Sequence, residues 1–190
     1  MRSRILPCAI ALTAVLPLVA QSDPAAAFKV INSAESAEQF RQGKGTRDAK
    51  VGERAVVFDV PPGTTSFFAL TTEGAGIDLN QYAGLAFWWK VEGDGLRSLT
   101  LKTRCPSMHE GRQLVFPVWR KGASAIPREW AAAQVSFAER GGMQGDPSSA
   151  RVIEFRTETD RGSNTRLFID HVVALTATFR VRVAPTCREG

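Results

Sequence analysis

The chain has little of the side-chain chemistry on which most catalytic sites depend. Its 190 residues include one tyrosine, two histidines and three cysteines. The sequence contains no HExxH motif, no cysteine and histidine spacing typical of a metal site, and no GxSxG nucleophile elbow. Because acid–base and nucleophilic catalysis require titratable groups that converge, this scarcity favours a protein that is not an enzyme.

The chain also lacks long apolar runs except for one at the N-terminus. Residues 5–20 carry no charge, but Pro7 and Pro17 interrupt them, and the run is shorter than the roughly 18 residues of a spanning helix. Two arginines precede the run, and residues 25–27 are alanines suited to cleavage. The pattern predicts a signal peptide over residues 1–27, a secreted or periplasmic protein, and no membrane insertion after signal removal.

Residues 28–190 are predicted to form one domain, because a chain of this length can bury a sizeable core but is short for two. Removal of residues 1–27 takes away two of the 24 basic residues and one of the 19 acidic residues, which leaves a net charge of +4. This modest excess is compatible with an anionic partner without requiring one. Export argues against nucleic acid as that partner.

Cysteine is scarce in the predicted mature chain, which contains only Cys105 and Cys187. In an oxidising compartment, a disulfide between the two is the expected arrangement. The alternative is a pair of buried thiols, because a free cysteine also packs as a small hydrophobic residue.

Short apolar runs separated by turn residues occupy nearly all of the predicted mature chain. The turns include Pro-Pro-Gly at 61–63, Gly-Asp-Gly at 93–95 and Gly-Gly at 141–142. This spacing predicts an all-β sandwich, with helix expected only over residues 34–40. The predicted strands cover residues 54–60, 65–72, 85–91, 97–104, 113–119, 130–137, 152–157, 166–175 and 178–183.

Side-chain alternation separates an inner face of these strands from an outer one. In the strand at 85–91, the odd positions are continuously apolar and are expected in the core, whereas Trp88 and Lys90 take the opposite face. If the strands share one sheet, the same alternation gives it an outer face with two tryptophans, four cations and the carboxylate of Glu154. The predicted ligand-binding residues are Trp88, Lys90, Lys102, Arg104, Trp119 and Arg156.

An aromatic and basic face of this kind is suited to carbohydrate. Indole rings bury apolar area against the C–H faces of sugars, and lysine and arginine can hydrogen-bond hydroxyls or pair with uronic acid carboxylates. Other roles stay open for each tryptophan. Trp88 is equally consistent with burial under a loop or the N-terminal segment, Trp119 with a position at the rim, and Trp130 with a packing anchor.

The order of sequence motifs resembles that of a known jelly-roll family. The chain presents, in order, "VGERAVVFDVP", "IDLNQYAGLAFWWKVEGDG", "REWAAAQVSF", "ARVIEFRTE" and "NTRLFIDHVVAL". These follow the layout of galactose-binding-like modules, which include carbohydrate-binding modules and complex I intermediate-associated domains. The similarity spans residues 28–175. It implies an all-β fold, a jelly-roll β-sandwich of two antiparallel sheets, which is the fold class that we predict.

The resemblance also implies two sites. One is a concave sheet face that binds a glycan chain through aromatic and polar side chains. The other is a structural calcium site whose ligands would be Asp170 and either Glu35 or Glu38. The family's acidic opening is replaced here by "INSAESAEQF", so a simply hydrogen-bonded Asp170 at a strand bend is an equal alternative.

We therefore predict a secreted, non-catalytic carbohydrate-binding module. Its ligand would be a polysaccharide or oligosaccharide, with acidic glycans among the candidates, and a separate glycan-degrading enzyme is a candidate partner.

Two other functions stay open. A jelly-roll polysaccharide lyase needs a base such as tyrosine or histidine. The resemblance makes Tyr82 a packing residue, however, and alternation places His171 on the core face. An envelope assembly module would instead show a covered or aliphatic outer face.

Overall fold

The described chain folds into two antiparallel β-sheets that pack against each other. The computed structural model describes residues 28–36, 40–71, 78, 81–104, 114–137 and 152–176. The strands in these ranges are β1 (Phe28–Asn32), β2 (Lys44–Thr46), β3 (Ala55–Val60), β4 (Thr65–Thr71), β5 (Tyr82–Glu92), β6 (Leu96–Arg104), β7 (Leu114–Arg120), β8 (Ala131–Ser136), β9 (Val152–Thr159) and β10 (Thr165–Thr176).

Strand order identifies the fold as a jelly roll. The first sheet has six strands in the order β2-β3-β10-β5-β8, with β1 pairing with the end of β10 beyond β3. The second sheet has four strands in the order β4-β9-β6-β7. Most neighbours are distant in sequence, and all their pairings are antiparallel. Such crossing connections between two sheets are typical of jelly rolls.

Inward-facing side chains from both sheets form the hydrophobic core. The predicted inner face of β5 is buried throughout, which confirms the alternation in this strand: Leu85, Phe87, Trp89 and Val91. Phe87 contacts Phe155 of the second sheet with ring centroids 5.1 Å apart. Each large apolar side chain stabilises the fold by about 1.5–3 kcal/mol when it leaves water, so β5 is a principal anchor of the sandwich.

The predicted strands are confirmed to within a few residues at each end wherever the structure describes them. β1 and β2 were not predicted, and β2 contains no large apolar side chain that could mark it. The helix predicted over 34–40 is wrong in its described part, because Ala34 has a φ of 64° and begins a bend. None of the secondary structure in the described ranges is a helix long and apolar enough to span a bilayer.

Several predictions concern residues outside the described part of the chain. These are the signal peptide at 1–27, the strand at 178–183, and the cysteines Cys105 and Cys187.

A β-bulge in β7 reverses the predicted orientation of Trp119. Leu99 pairs with Trp119, whereas the next residue of β6, Thr100, pairs with Pro117. Val118 is therefore an extra residue, and the alternation beyond it is shifted by one position. Trp119 consequently points inward and is only 9% exposed. The prediction that Trp119 lies on an outer face is wrong.

Trp119 is held in the core by contacts with the first sheet and with the loop that follows β7. Its ring centroid lies 6.5 Å from that of Trp89 in the first sheet. Its Nε1–H donates a hydrogen bond to the Ser124 carbonyl oxygen at 3.3 Å. The indole is therefore buried with its polar atom satisfied, as a stable core tryptophan requires.

A second bulge in β10 reverses the predicted orientation of His171. Pairing with β5 is interrupted between Asp170 and Val173, and His171 has a φ of 47°. Val172 is part of the core, whereas half-buried His171 lines a groove beside Trp88. The prediction that His171 occupies the core face is wrong, because the bulge shifts the alternation after Asp170.

Replacing Trp119 with alanine should lower the free energy of unfolding by about 3–5 kcal/mol, because a buried aromatic side chain is removed and a cavity remains. Urea denaturation followed by circular dichroism measures the loss. Phe67 in β4 is 44% exposed and provides a matched control. Phe67→Ala should cost about 1 kcal/mol or less, and equal losses in the two variants would contradict the inward orientation of Trp119.

Candidate functional site

The residues predicted to share one outer face lie on two different sheets. Trp88 and Lys90 belong to β5 in the first sheet. Lys102 and Arg156 belong to β6 and β9 in the second sheet. Arg104 is the last residue of β6, and its side chain lies outside the described part of the structure. Because the sheets pack through their inner faces, the predicted site is divided between opposite sides of the sandwich.

Lys90 is sequestered on the outer face of the first sheet. Only 10% of its side chain is exposed, and its Nζ forms an ion pair with Asp48. The Nζ lies 4.6 Å from the Phe168 ring centroid and 5.5 Å from that of Trp130. Trp130 also donates its indole N–H to Asp48 at 3.2 Å, which fits the expected packing role. Lys90 therefore organises this face instead of presenting a free cation.

The pKa of the Asp48 carboxyl reflects this arrangement. The hydrogen bond from Lys90 holds the pKa below its usual value, and the N–H of Trp130 and the charge of Lys90 act in the same direction. Burial opposes them because it disfavours the charged form. Asp48 is consequently a carboxylate that fixes Lys90 and Trp130 in place.

Trp88 contacts both a loop and an open groove. The side chain is half-buried, and Lys50 Nζ lies 5.0 Å from its ring centroid. A groove of about 410 Å³ opens beside the ring. The groove is lined mainly by apolar side chains, among them Phe28, Ala86, Ala132, Val173 and Leu175, together with His171. The indole is thus partly covered on one side and accessible on the other.

The loop at residues 46–53 is attached to this face through carboxylates. Asp170 accepts hydrogen bonds through Oδ2 from the N–H groups of Lys50 at 2.7 Å and Val51 at 2.9 Å. Glu35 Oε1 accepts the N–H of Glu53 at 3.0 Å. These bonds position the loop, and the loop in turn places Lys50 against Trp88.

The Asp170 carboxyl is fully buried at the β10 bulge. Burial raises its pKa, although the N–H groups of Val51 and Lys50 and the charge of His171 act in the opposite direction. The second oxygen, Oδ1, has no partner of normal hydrogen-bond geometry within the described ranges. A proton or a cation would satisfy a buried oxygen in this position.

The two carboxylates implied as calcium ligands by the family resemblance, Asp170 and Glu35, both bond to the 46–53 loop. In a calcium site, Asp170 would supply Oδ1 and Glu35 a carboxylate oxygen. The loop meets both carboxylates with N–H donors, however, and no three His, Cys, Asp or Glu side chains form a metal-binding group within the residues described. Glu38 lies outside those residues. Calcium binding by Glu35 and Asp170 stays a prediction.

The outer face of the second sheet carries an exposed aromatic ring beside two cations. Phe67 is 44% exposed. Lys102 Nζ lies 5.4 Å from the Phe67 ring centroid, and Arg156 Cζ lies 5.8 Å from it. Strand register explains this proximity, because Phe67 is directly opposite Arg156 and Lys102 is one row further along the sheet. We call Phe67, Lys102 and Arg156 the Phe67 face.

The surroundings of the Phe67 face are mixed in charge. Val115, opposite Lys102, is 39% exposed and extends the apolar surface. Arg156 Nη2 donates to Glu158 Oε1 at 2.8 Å. Glu154, which the alternation placed on the outer face, is buried. The face therefore offers an aromatic ring, an aliphatic side chain and two partly exposed cations.

Phe67 is absent from the predicted set, although the sequence contains a signal for it. Phe68 and Leu70 are buried, so the alternation of β4 directs Phe67 outward. The two adjacent phenylalanines therefore behave as Trp88 and Trp89 do: only one member of each pair enters the core.

The two-sheet arrangement is shared with solved carbohydrate-binding modules. A family 11 module from Clostridium thermocellum, in complex with a β-1,3-1,4-mixed-linked tetrasaccharide, matches with a TM-score of 0.56 and 10% identity, over 80% of this chain and 98% of that one. A family 30 module of a cellulosomal cellulase from the same organism matches with a TM-score of 0.52 and 13% identity, over 79% and 92%. The chain has the jelly-roll fold of carbohydrate-binding modules.

The predicted fold class is therefore confirmed. An exo-β-agarase also matches, with a TM-score of 0.56 and 11% identity, over 82% of this chain but only 25% of the enzyme. No family profile matches the chain. No curated protein matches it in sequence. At these identities the likeness concerns the fold, and the binding site must be argued from this chain's own residues.

Replacing Asp170 with asparagine should reveal the raised pKa of this carboxyl. A raised pKa means that the folded protein binds the proton more tightly than the unfolded chain. Asp170 therefore favours folding at low pH, and its contribution is lost as the pH rises from the usual 3.8 through the folded-state pKa. As the pH rises through this range, the free energy of unfolding of the wild-type protein should therefore fall relative to that of D170N. Urea denaturation at several pH values measures the difference, and parallel pH profiles would contradict the raised pKa.

Bound calcium would reverse the pH dependence of the difference in free energy of unfolding between the wild type and D170N. A bound ion stabilises the charged carboxylate, so with calcium chloride present the wild-type protein would gain stability relative to D170N as the pH rises. An unfolding midpoint unmoved by calcium or by EDTA would contradict the calcium prediction. Asp170→Ala is the structural control, because it leaves both loop N–H groups without their acceptor at a cost of about 1–3 kcal/mol.

Proposed function

We propose that this chain is a non-catalytic carbohydrate-binding module that binds a polysaccharide on the Phe67 face. The observation that carries the proposal is an exposed ring with Lys102 Nζ at 5.4 Å and Arg156 Cζ at 5.8 Å from its centroid. An aromatic ring removes the C–H face of a sugar from water, while neighbouring cations donate hydrogen bonds around it. The fold adds support, because one module that shares it was solved with a bound tetrasaccharide.

The chemistry of the Phe67 face favours an acidic glycan. Lysine and arginine donate hydrogen bonds but accept none, and phenylalanine has no hydroxyl. The polar contacts that these three residues can offer are therefore donors, which suit the carboxylate of a uronic acid. Arg156 gives one nitrogen to Glu158 and keeps further N–H groups for a ligand. Arg104, predicted as another cation of the site, follows Lys102 by two residues in β6.

The outer face of the first sheet is less suited to a glycan chain. Lys50 lies against the ring of Trp88, and Lys90 is buried in its ion pair with Asp48. The groove beside Trp88 is lined largely by apolar side chains, so it offers few partners for hydroxyl groups. Sugar recognition normally combines stacking with several hydrogen bonds, and the Phe67 face provides both.

The lyase alternative receives no support from the positions of the candidate bases. Tyr82 is half-buried and packs against the core. His171 has its Nδ1 buried beside the apolar groove, on the side of the sandwich opposite the Phe67 face. A base for proton abstraction must reach the bound sugar, and neither side chain lies near the cations that would hold one.

We further propose that the protein acts outside the cytoplasm, beside a separate glycan-degrading enzyme. Support comes from the signal-like residues 1–27 and from a similar module that belongs to a cellulosomal cellulase. Intact mass measurement of the exported protein should give an N-terminus at Phe28 and, after alkylation in denaturant without reduction, no label on Cys105 or Cys187. A mature chain that retains residues 1–27 would contradict export. Alkylation of both cysteines would contradict the disulfide.

Affinity electrophoresis in gels containing pectin, alginate or a neutral β-glucan tests the proposed ligand class. The uronic acid polysaccharides should retard the protein most. Retardation should fall as salt is added, because the Debye length shortens from about 10 Å at 0.1 M to about 3 Å at 1 M ionic strength. Phe67→Ala should weaken binding by about two- to tenfold, since an aromatic contact is worth about 0.5–1.5 kcal/mol.

Charge variants provide the matched controls for these gels. Lys102→Met should weaken binding to pectin or alginate, whereas Lys29→Met, which removes an exposed lysine of β1, should not. The proposed function fails if no polysaccharide retards the protein, or if Phe67→Ala migrates like the wild type. Ultraviolet absorbance from unsaturated uronates after incubation would instead indicate a lyase.

A further inference from the structure

A cleft distinct from the Phe67 face lies at one end of the first sheet. Its volume is about 670 Å³, within the roughly 300–1,000 Å³ typical of small-molecule sites. Turn residues that follow β3 and β5 and precede β10 form the walls: Pro61, Pro62, Gly93 and Asn164. Asp59, Arg166 and Glu92 also line it, one from each of the three adjacent strands.

The walls of this cleft are fixed by hydrogen bonds between turns. The Gly63 N–H donates to the Asp160 carbonyl oxygen at 2.8 Å, and the Asp160 N–H donates to the Gly95 carbonyl oxygen at 2.7 Å. Thr159 Oγ1 donates to the Pro61 carbonyl oxygen at 2.7 Å. The concavity is therefore built into the fold, and a ligand would enter a preformed site at low entropic cost.

Strand register places two carboxylates on either side of one guanidinium. Arg166 is directly opposite Asp59 of β3 and directly opposite Glu92 of β5, so the three side chains share one face of the sheet. Arg166 Nη2 bonds to Glu92 Oε2, and its Cζ lies 5.7 Å from the Phe168 ring centroid. Asp59 Oδ2 accepts a hydrogen bond from Lys44 Nζ at 2.6 Å. The guanidinium is thus oriented while 55% of the Arg166 side chain remains exposed.

Across the cleft, Asp59 is a hydrogen-bond acceptor, Arg166 a donor and Glu92 an acceptor. A ligand that matches this row must both donate to carboxylates and accept from the guanidinium. Hydroxyl groups do both, so neighbouring hydroxyls of a sugar fit the pattern. The row and Lys44 together carry no net charge, and an anionic ligand would face two carboxylates. The rings of Pro61 and Pro62, both exposed, offer apolar surface for sugar C–H groups.

We propose that the cleft between Asp59, Arg166 and Glu92 is a second binding site, specific for a neutral sugar. It is separate from the Phe67 face and goes beyond the function proposed above, because it differs in location and in preferred ligand charge. The observation that carries this proposal is the alignment of three charged side chains across a preformed cleft, with 55% of the Arg166 side chain left exposed.

Amide chemical shifts in ¹⁵N-labelled protein test this site. Titration with methyl glycosides of glucose, galactose and mannose should shift the amides of Gly93, Asn164 and Thr165 with at least one sugar. The amides of Phe67 and Lys102 should stay unchanged. Galacturonate and glucuronate should bind the cleft more weakly than their neutral counterparts. Absence of shifts in the cleft with every neutral sugar, or a preference for the uronates there, would overturn the proposal.

Substitutions in the cleft make the test specific. Arg166→Met removes the hydrogen-bond donor but keeps an apolar side chain, and it should lower the affinity for the sugar about tenfold. Arg54→Met removes an exposed arginine at the opposite end of β3 and should change nothing. Asp59→Asn retains the shape of its side chain and should also weaken binding, which covers the case that Arg166→Met fails to fold. Unchanged affinity in Asp59→Asn, or in a folded Arg166→Met protein, would overturn the site, whereas loss of polysaccharide retardation in Phe67→Ala tests the other face independently.

Discussion

The contact between Trp89 and Trp119 packs the two sheets of this protein against each other, and it exists because a bulge turns Trp119 into the core. The two rings meet in the core with centroids 6.5 Å apart. Trp119 reaches that position because Val118 is an extra residue in β7, which shifts the alternation by one. Without the bulge, Trp119 would lie on the outer face of the second sheet and leave a large gap beside Trp89. The core therefore takes one tryptophan from each sheet, and Phe67 is left as the exposed aromatic beside Lys102 and Arg156.

Alternation in the sequence predicts the core well wherever a strand is regular. The inner face of β5 follows from it, whereas the all-β class follows from the spacing of apolar runs and turns, and the jelly roll was implied by the family resemblance. It fails at Trp119 and His171, which lie at or beyond bulges in β7 and β10. A bulge is a property of two paired strands, because it arises where one strand has a residue more than its neighbour. Neither strand's own sequence contains that information, so an orientation read from one strand alone is lost beyond the bulge.

The two cations of the candidate site were predicted from the sequence, but its aromatic ring and its location were not. Lys102 and Arg156 were expected on an outer face, and they do flank an aromatic ring there. Which sheet each strand joins is decided by long-range pairing, and this separates them from Trp88 and Lys90. The 46–53 loop adds a second effect that strand patterns do not contain. Its bonds to Asp170 bring Lys50 onto Trp88, so the outer face of the first sheet is organised around local contacts.

In the proposed function, the second sheet and not the first presents the polysaccharide-binding face. Affinity electrophoresis of Phe67→Ala and Trp88→Ala in the same polysaccharide gel tests this directly, because each variant removes a candidate stacking ring from one face. Phe67→Ala should lose most of its retardation, whereas a folded Trp88→Ala protein should be retarded like the wild type. Loss of retardation in Trp88→Ala, with Phe67→Ala unaffected, would contradict this proposal and transfer the site to the groove beside Trp88.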